Sequence, residues 1–194
     1  MFYKKLNFPS IPTNLLDNLE LSVKNNIVIN DIGYGTDHFK NNKKLIACQY
    51  TLGDLESDQL IFWLENNIPN IKSRFNILYQ TQKAKNNVMS THIVHTDKER
   101  LSALNYVIDT GGENVITSWY KENNKELFRQ RKIAGGQSDS GFVDYQNLEL
   151  LESINLEKNC WYIIDTRILH DVDNITGIRK SISISFRHRD YFGQ

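Results

Sequence analysis

The run GIRKSISISFR (177–187) alternates between polar and apolar residues along almost its whole length. Arg179 and three serines take one set of alternate positions, while Lys180 and the apolar side chains take the other. A period of two is typical of a β-strand with two chemically different faces. The run therefore predicts a strand whose polar face is either solvated, at the edge of a sheet, or part of the wall of a polar pocket.

Further short β-like runs precede this strand, and turn residues separate most of them. Two segments near the N-terminus, 12–25 and 53–66, instead carry apolar residues at helical spacing. Many short strands at this spacing are typical of a sandwich or jelly roll. The predicted strands lie at 74–80, 88–95, 101–109, 113–120, 126–133, 147–154 and 160–165.

The composition suits one folded domain. The chain has 194 residues, of which 40% are hydrophobic, enough for a buried core. No internal repeat or linker divides it, so we expect a single domain over 1–194, with helical N-terminal support over 1–73 and a jelly-roll core over 74–188. The stretch GGQSDSG (135–141) predicts a surface loop, with an active-site lid as the alternative.

Charge and cysteine usage limit the function classes. The 23 basic and 23 acidic residues balance, and no basic stretch is typical of a nucleic-acid tail, so nucleic acid is not the expected partner. Cys48 and Cys160 form no C-x-x-C pair, which favours buried thiols in a reducing, cytoplasmic compartment. No signal-like or membrane-length apolar run occurs, so we expect no membrane association, and the oligomeric state stays open.

Three residues of metal-ligand type form the main candidate site. His95 and Asp97 make an H-x-D in THIVHTD (91–97), and His170 lies in DTRILHDV (165–172). Residues i and i+2 of a strand share a face, so H-x-D aims an imidazole and a carboxylate at one point. Two imidazoles and one carboxylate can hold one face of Fe(II) and leave the other face open. The alternative is a pair of structural histidines with a solvated aspartate.

Arg179 lies nine residues after His170 (179 − 170 = 9), on the polar face of the alternating strand. A guanidinium is permanently charged and can grip a carboxylate with two parallel hydrogen bonds. Ser181, on the same face, can add a third bond. With a metal-type cluster upstream, this face is better explained as the wall of a pocket for a carboxylate than as a solvated edge.

His95, Asp97, His170, Arg179 and Ser181, in this order and spacing, resemble the Fe(II)- and 2-oxoglutarate-dependent dioxygenases, especially the prolyl-hydroxylase-like branch. DTGGENVITSWY (109–120) and CWYIIDTRILHDV (160–172) resemble further segments of that family, so the resemblance covers roughly residues 74–188. It implies an α+β, mainly β fold: a double-stranded β-helix (jelly roll) core with N-terminal supporting helices.

The resemblance also implies an activity. Fe(II) would be held by His95, Asp97 and His170, and the far carboxylate of 2-oxoglutarate would pair with Arg179 and Ser181. O₂ and 2-oxoglutarate would be consumed to give succinate, CO₂ and an oxidised substrate. Halogenating relatives lack the carboxylate that Asp97 supplies, which favours hydroxylation or another oxidation here. The primary substrate stays open, with a protein side chain or an amino acid slightly favoured.

Weaker candidates surround these residues. Tyr79 ends the first predicted barrel strand, where the family often has a pocket tyrosine, and Asn105 lies on the strand after the H-x-D, so both are expected to contact the co-substrate. A structural amide is the alternative for Asn105. Arg187 is the alternative to Arg179 as carboxylate anchor, although the spacing favours Arg179. Arg100 is expected to position substrate or to lie on the surface.

Two other functions are consistent with the residues. One is a cupin-like metal-binding protein that does not use 2-oxoglutarate, in which Arg179 would be incidental. The other is a non-catalytic jelly-roll binding module with a degenerate metal site. The completeness of the motif favours the oxygenase.

Overall fold

The computed structural model describes residues 1–25, 45–74, 76–84, 90–97, 100–123, 129–133, 136–142 and 148–186. Within these ranges there are two α-helices and twelve β-strands. The helices are α1 (Thr13–Asn25) and α2 (Asp58–Asn67). The strands are β1 (Tyr3–Leu6), β2 (Leu45–Thr51), β3 (Asn76–Ala84), β4 (Ser90–Thr96), β5 (Ser102–Thr110), β6 (Ile116–Glu122), β7 (Arg129–Ile133), β8 (Gly136–Phe142), β9 (Leu148–Ile154), β10 (Trp161–Asp165), β11 (Leu169–Ile175) and β12 (Ile178–Phe186).

The described strands form two six-stranded antiparallel sheets. Sheet A has the order β1-β10-β5-β12-β3-β2, and sheet B has the order β7-β8-β4-β11-β6-β9. Most neighbours within each sheet are far apart in sequence, as in a jelly roll, where the chain crosses repeatedly between two packed sheets. The predicted mainly β, jelly-roll fold with two supporting helices is therefore confirmed.

Both helices cover one face of sheet A. Ile182, Ile184 and Phe186 of β12 are fully buried in a cluster with Leu19 of α1 and Leu60 of α2. Burying a large aliphatic side chain stabilises a fold by about 1.5–3 kcal/mol, so this apolar half of the alternating strand fixes the helices on the sheet. The polar half of β12 must then face sheet B, because successive strand residues point to opposite faces.

Apolar and aromatic side chains fill part of the space between the sheets. Trp119 of sheet B packs with Val107, Tyr162 and Ile164 of sheet A. Tyr3 of β1 stacks on the Trp119 ring with centroids 5.0 Å apart. Since residues of both sheets meet in this cluster, it identifies which residues of each strand point inward. The cluster fills part of the same space between the sheets that the polar face of β12 lines.

The sequence predicted helical support over residues 1–73, but the structure shows strands in this region as well. Helix α1 agrees with the prediction for 12–25, while α2 begins five residues later than expected because Leu52–Asp54 form a 3₁₀ turn first. Strand β1 pairs with β10 and β2 pairs with β3, so both belong to sheet A. Residues 1–73 therefore contribute strands as well as supporting helices.

The predicted loop at 135–141 was wrong for the part that the structure describes. Residues 136–142 form β8, which pairs with β4 through His95 opposite Phe142 and Thr96 opposite Gly141. Backbone hydrogen bonds hold a strand whatever its side chains, so a run of Gly, Ser and Asp can form a strand when a partner edge is present. Gly141 and Phe142 thus lie beside the H-x-D strand, and β8 pairs along its other edge with β7.

None of the helices in the described ranges is long and apolar enough to cross a lipid bilayer.

Candidate metal centre and anion pocket

The structure brings the three predicted ligand residues together. His95 lies on β4 and His170 lies directly opposite on the neighbouring strand β11, with their ring centroids 4.5 Å apart. Asp97 follows the end of β4, and its Oδ1 is 3.7 Å from His95 Nε2. One ligand atom from each residue lies within 4.8 Å of the others. Three side chains separated by up to 75 residues (170 − 95 = 75) thus converge on one point.

The spacing suits a single metal ion. Nitrogen and oxygen ligands lie about 2.0–2.2 Å from a first-row divalent metal, so two ligands of one ion are about 3–4 Å apart. The 3.7 Å between His95 Nε2 and Asp97 Oδ1 lies in this range, and the other ligand atoms are within 4.8 Å of each other. Two imidazoles and one carboxylate on one side of an ion, with the opposite side free, match the donor set of non-haem iron sites.

His170 is prepared as a neutral ligand. Its Nδ1 lies 2.8 Å from the carbonyl oxygen of Ile168, so the Nδ1–H donates to the backbone and Nε2 keeps its lone pair for a metal. Burial, reinforced by neighbouring His95, lowers the pKa of His170 to about 4. The ring is therefore uncharged at neutral pH, as a metal ligand must be.

Asp97 is held as a carboxylate. Burial alone would raise its pKa, but the charge of Arg100, with smaller contributions from the neighbouring histidines, outweighs that effect and lowers the pKa to about 2. Arg100 Nε donates to Asp97 Oδ2 at 2.6 Å, and the backbone N–H of Asp97 donates to the carbonyl oxygen of Thr166 at 2.8 Å. Arg100 therefore contacts a candidate metal ligand, which the sequence analysis did not foresee.

Arg179 lies on the inward face of β12 and is only 7% exposed. Its guanidinium makes no hydrogen bond or ion pair with any residue in the described ranges, and burial lowers its pKa to about 10. An unpaired buried charge is costly, so a guanidinium in this position is suited to an anion that enters the interior. Ser181, Ser183 and Ser185 share this face and are also buried.

The alternative of a solvated edge strand is thereby excluded. Strand β12 lies between β5 and β3 in the middle of sheet A, with neighbours on both sides. Its serine face looks into the space between the sheets rather than into solvent. The polar residues of this strand therefore line the space between the two sheets.

A glycine turn sets the position of Arg179. Gly111 has φ +82°, and a Cβ added there would lie 2.8 Å from both the Cβ and the backbone N of Arg179. Its carbonyl oxygen accepts the N–H groups of Thr176 at 3.0 Å and Gly177 at 2.7 Å. The GG turn therefore packs directly against the backbone of β12, and only glycine allows so close an approach.

Further unpaired polar atoms face the interior. Asn105 lies opposite Ser183 on the adjacent strand, and its buried Oδ1 has no hydrogen-bond partner among the described residues. On β6 of sheet B, Thr117 Oγ1 and Trp119 Nε1 are likewise buried and unpaired within the described ranges. Buried polar atoms in proteins are nearly always hydrogen-bonded, so these groups mark space suited to a polar ligand or to water.

The structure does not bring Tyr79 to this pocket, so that prediction is corrected. Tyr79 lies opposite Ile182, on the face of sheet A that the helices cover, and is buried in their apolar cluster. Its neighbour Gln80 lies opposite Ser181 and takes the inward position instead. A shift of one residue exchanges the two faces of a strand, which is why spacing alone misplaced the tyrosine. Arg187 lies outside the described residues.

The fold and the site together define a class: a jelly-roll-like protein whose inward faces carry a His-Asp-His metal-type cluster and a buried arginine. No protein-family model matches the sequence, and no curated protein matches it either. Solved structures that match the chain show a distant likeness, among them the following three.

The chain is similar to E. coli ycfD at 11% identity and TM-score 0.46, over 80% of this chain and 37% of that one. It is similar to a Pseudomonas putida prolyl-4-hydroxylase at 12% identity and TM-score 0.46, over 96% and 92% of the two chains. It is also similar to Peruvianin-I, a cysteine peptidase from Thevetia peruviana latex, at 14% identity and TM-score 0.37, over 80% and 68%. The chain thus spans just over a third of the ycfD chain. The functional assignment depends on the site itself.

Proposed function

We propose that this protein is an Fe(II)- and 2-oxoglutarate-dependent oxygenase. It would couple the oxidative decarboxylation of 2-oxoglutarate to succinate with the oxidation, most simply the hydroxylation, of a primary substrate. The observation that carries the proposal is the buried Arg179 guanidinium, which has no partner in the described ranges and shares an interior with the His95–Asp97–His170 cluster. A metal cluster alone would suit a cupin-like protein equally well, whereas the arginine adds a site for a carboxylate.

His95, Asp97 and His170 would hold the iron. The bound iron supplies the activation of O₂ that protein side chains cannot provide. The residues supply what the iron requires: two imidazoles and one ionised carboxylate, all on one side. The low pKa values of His170 and Asp97 keep both groups in their metal-binding forms at neutral pH.

Arg179 and Ser181 would bind the far carboxylate of 2-oxoglutarate. The guanidinium fork can form two charge-assisted hydrogen bonds, and the Ser181 hydroxyl lies on the same strand face. Val107 is fully buried opposite Ser181 and adds an apolar side chain beside this end of the proposed site. An ion pair formed at such a buried position would be screened less by solvent than one at the surface.

For the primary substrate we propose a chemical class rather than a particular compound. The resemblance to the prolyl-hydroxylase-like branch favours a protein side chain or a free amino acid, by analogy alone. A screen for succinate release over peptide, amino-acid and nucleotide libraries separates these classes. Stimulation by nucleotides alone would contradict the preference for peptides and amino acids.

An anaerobic titration tests the assignment. Fe(II) is added to the metal-free protein first, and 2-oxoglutarate second, while the visible spectrum is recorded. The proposal predicts a charge-transfer band that appears only when both are present, because the 2-oxo acid chelates the iron. Iron binding without this band would favour the cupin-like alternative, and no iron binding by the folded protein would favour a non-catalytic module.

A further inference from the structure

The two oxygens of Asp97 have different partners. Oδ2 accepts a hydrogen bond from Arg100 Nε at 2.6 Å, while Oδ1 faces His95 Nε2 at 3.7 Å. One oxygen is thus engaged by a guanidinium, and the other is directed at the His-Asp-His cluster. The carboxylate is therefore already oriented, with only one of its oxygens available to an ion in the cluster.

Arg100 is itself fixed from two directions. Its Nη1 lies 3.1 Å from Ser183 Oγ, on the inward face of β12. Its carbonyl oxygen accepts a hydrogen bond from Thr166 Oγ1 at 2.8 Å, and the Thr166 carbonyl accepts the backbone N–H of Asp97. Ser183 and Thr166 are each only 1% exposed. This network, which we call the Asp97 brace, connects the carboxylate to β12 and to the turn after β10.

The brace has a consequence for coordination. A carboxylate can bind a metal through one oxygen or through both. In an octahedral site with two imidazoles, one-oxygen binding leaves a whole face of the ion open, whereas two-oxygen binding occupies a further position. A 2-oxo acid that chelates the ion needs adjacent open positions, and O₂ needs one more.

We propose that Arg100 is a positioning residue that restricts Asp97 to one-oxygen coordination and so keeps a coordination position open. This inference rests on the proposed function, because it concerns the same metal site. Arg100 acts through Asp97 and does not contact the ion itself. Without the guanidinium, the largely buried Oδ2 would lose its hydrogen bond and ion pair with Arg100. Rotation of the Asp97 carboxylate would then bring Oδ2 to the metal as a second ligand atom.

The test counts metal-bound waters. Wild-type protein, Arg100→Ala and Arg100→Lys are saturated with Mn(II), and the water-proton relaxation of each complex is measured before 2-oxoglutarate is titrated in. Arg100→Ala is expected to lose about one of the roughly three bound waters, lowering the relaxation enhancement by about a third. Its affinity for 2-oxoglutarate is expected to fall about 10–100-fold. Arg100→Lys, which retains the charge and one donor to Oδ2, is expected to give intermediate values.

Arg74→Ala is the matched control. Arg74 also makes an ion pair at 2.7 Å, but with Glu65 of α2 rather than with the cluster, so its loss should leave the water count and the 2-oxoglutarate affinity unchanged. If Arg100→Ala does not fold, Ser183→Ala replaces it, since this change loosens the brace without removing a charge. It should shift the water count in the same direction by a smaller amount.

The outcomes separate the two proposals. A folded Arg100→Ala protein with the wild-type water count would overturn the role of Arg100 and leave the oxygenase assignment intact. Wild-type protein that binds Mn(II) but not 2-oxoglutarate would overturn the assignment, while the water count would still decide how Asp97 binds the metal. Wild-type protein that binds no Mn(II) would overturn both.

Discussion

At the scale of single residues, Arg179 distinguishes this site from a simple metal centre. Histidine and aspartate clusters serve many metal sites, but a buried guanidinium without a protein partner in the described ranges needs an anion. Its inward position results from the alternation of β12, whose apolar half is fixed under α1 and α2. The same burial that stabilises the fold therefore aims the arginine into the pocket.

Arg179→Ala should leave Mn(II) affinity nearly unchanged and weaken 2-oxoglutarate binding to the Mn(II)-loaded protein by about 100-fold or more. Hydrogen bonds to charged groups contribute about 1.5–3 kcal/mol each, and the fork supplies two. Calorimetric titration of 2-oxoglutarate measures the change. Lys180→Ala is the control, because Lys180 is the next residue on β12 but pairs with Glu20 on the helix side. Equal affinity in wild type and Arg179→Ala would show that another group anchors the carboxylate.

The sequence predicted those site residues whose geometry is local. His95 and Asp97 are two residues apart, Arg179 and Ser181 share one strand face, and these relations follow from strand alternation alone. Tyr79 was misplaced because its orientation depends on which of two adjacent residues faces inward, which the helix-side core decides. Arg100 was undervalued because its contact with Asp97 is formed after the strand ends, where no period applies.

At the scale of elements, strand pairing and turns, rather than the helices, position the residues of the candidate site. Strands β1, β2, β8 and β11 were not predicted, since their sequences lack a clear apolar period and their formation depends on partner strands. The turn at Gly111 and Gly112, in contrast, follows from the sequence, since this glycine pair separates the predicted strands at 101–109 and 113–120. In the structure this turn packs the backbone of Gly111 closely against the backbone of Arg179.

Gly111→Ala should therefore displace Arg179 and weaken 2-oxoglutarate binding about 10-fold or more, since a misplacement of about 1 Å costs this much at a binding site. The added Cβ meets backbone atoms, which cannot rotate away, and the positive φ adds strain. Mn(II) affinity should change little. Gly53→Ala is the control, because no atom lies within 4 Å of a Cβ at that position. An undisturbed 2-oxoglutarate affinity in folded Gly111→Ala would contradict this role of the turn.

At the scale of the whole molecule, the site joins parts of the chain that are distant in sequence and belong to both sheets. The metal-type cluster comes from β4 and β11 of sheet B, while Arg179 comes from β12 of sheet A. Any ligand of this site requires the assembled fold and should therefore stabilise it. A ligand that binds the native state but not the unfolded state raises the free energy of unfolding by an amount set by its concentration and its affinity.

Mn(II) at 100 times its dissociation constant should raise the free energy of unfolding by about 2.7 kcal/mol and the melting temperature by about 5–10 °C. Asp97→Asn should lose most of this gain, because the amide is a weaker ligand than the carboxylate. Thermal unfolding with and without Mn(II) measures both values. The same stabilisation in wild type and Asp97→Asn would place the metal elsewhere.

The metal-free protein should lose stability as the pH falls from 6.5 to about 4. The pKa of His170 is lower in the folded state, about 4, than its ordinary value of 6.5, so the unfolded state binds more protons in this window. The loss approaches about 1.4 kcal/mol per pH unit at most. Below this range, Asp97 adds a further loss as the pH falls from 3.8 to about 2. His170→Asn should flatten the first slope, and an unaltered slope in urea unfolding curves would contradict the assignment.

We propose that the His-Asp-His cluster and Arg179 form one binding site for a metal ion and a dicarboxylate. The decisive experiment is a crystal structure of the protein grown without oxygen, with Mn(II) and 2-oxoglutarate. We expect the ion on His95, Asp97 and His170, and the far carboxylate of the bound acid on the Arg179 guanidinium. A metal-bound structure in which Arg179 contacts a protein carboxylate, and the acid is absent or bound elsewhere, would contradict it.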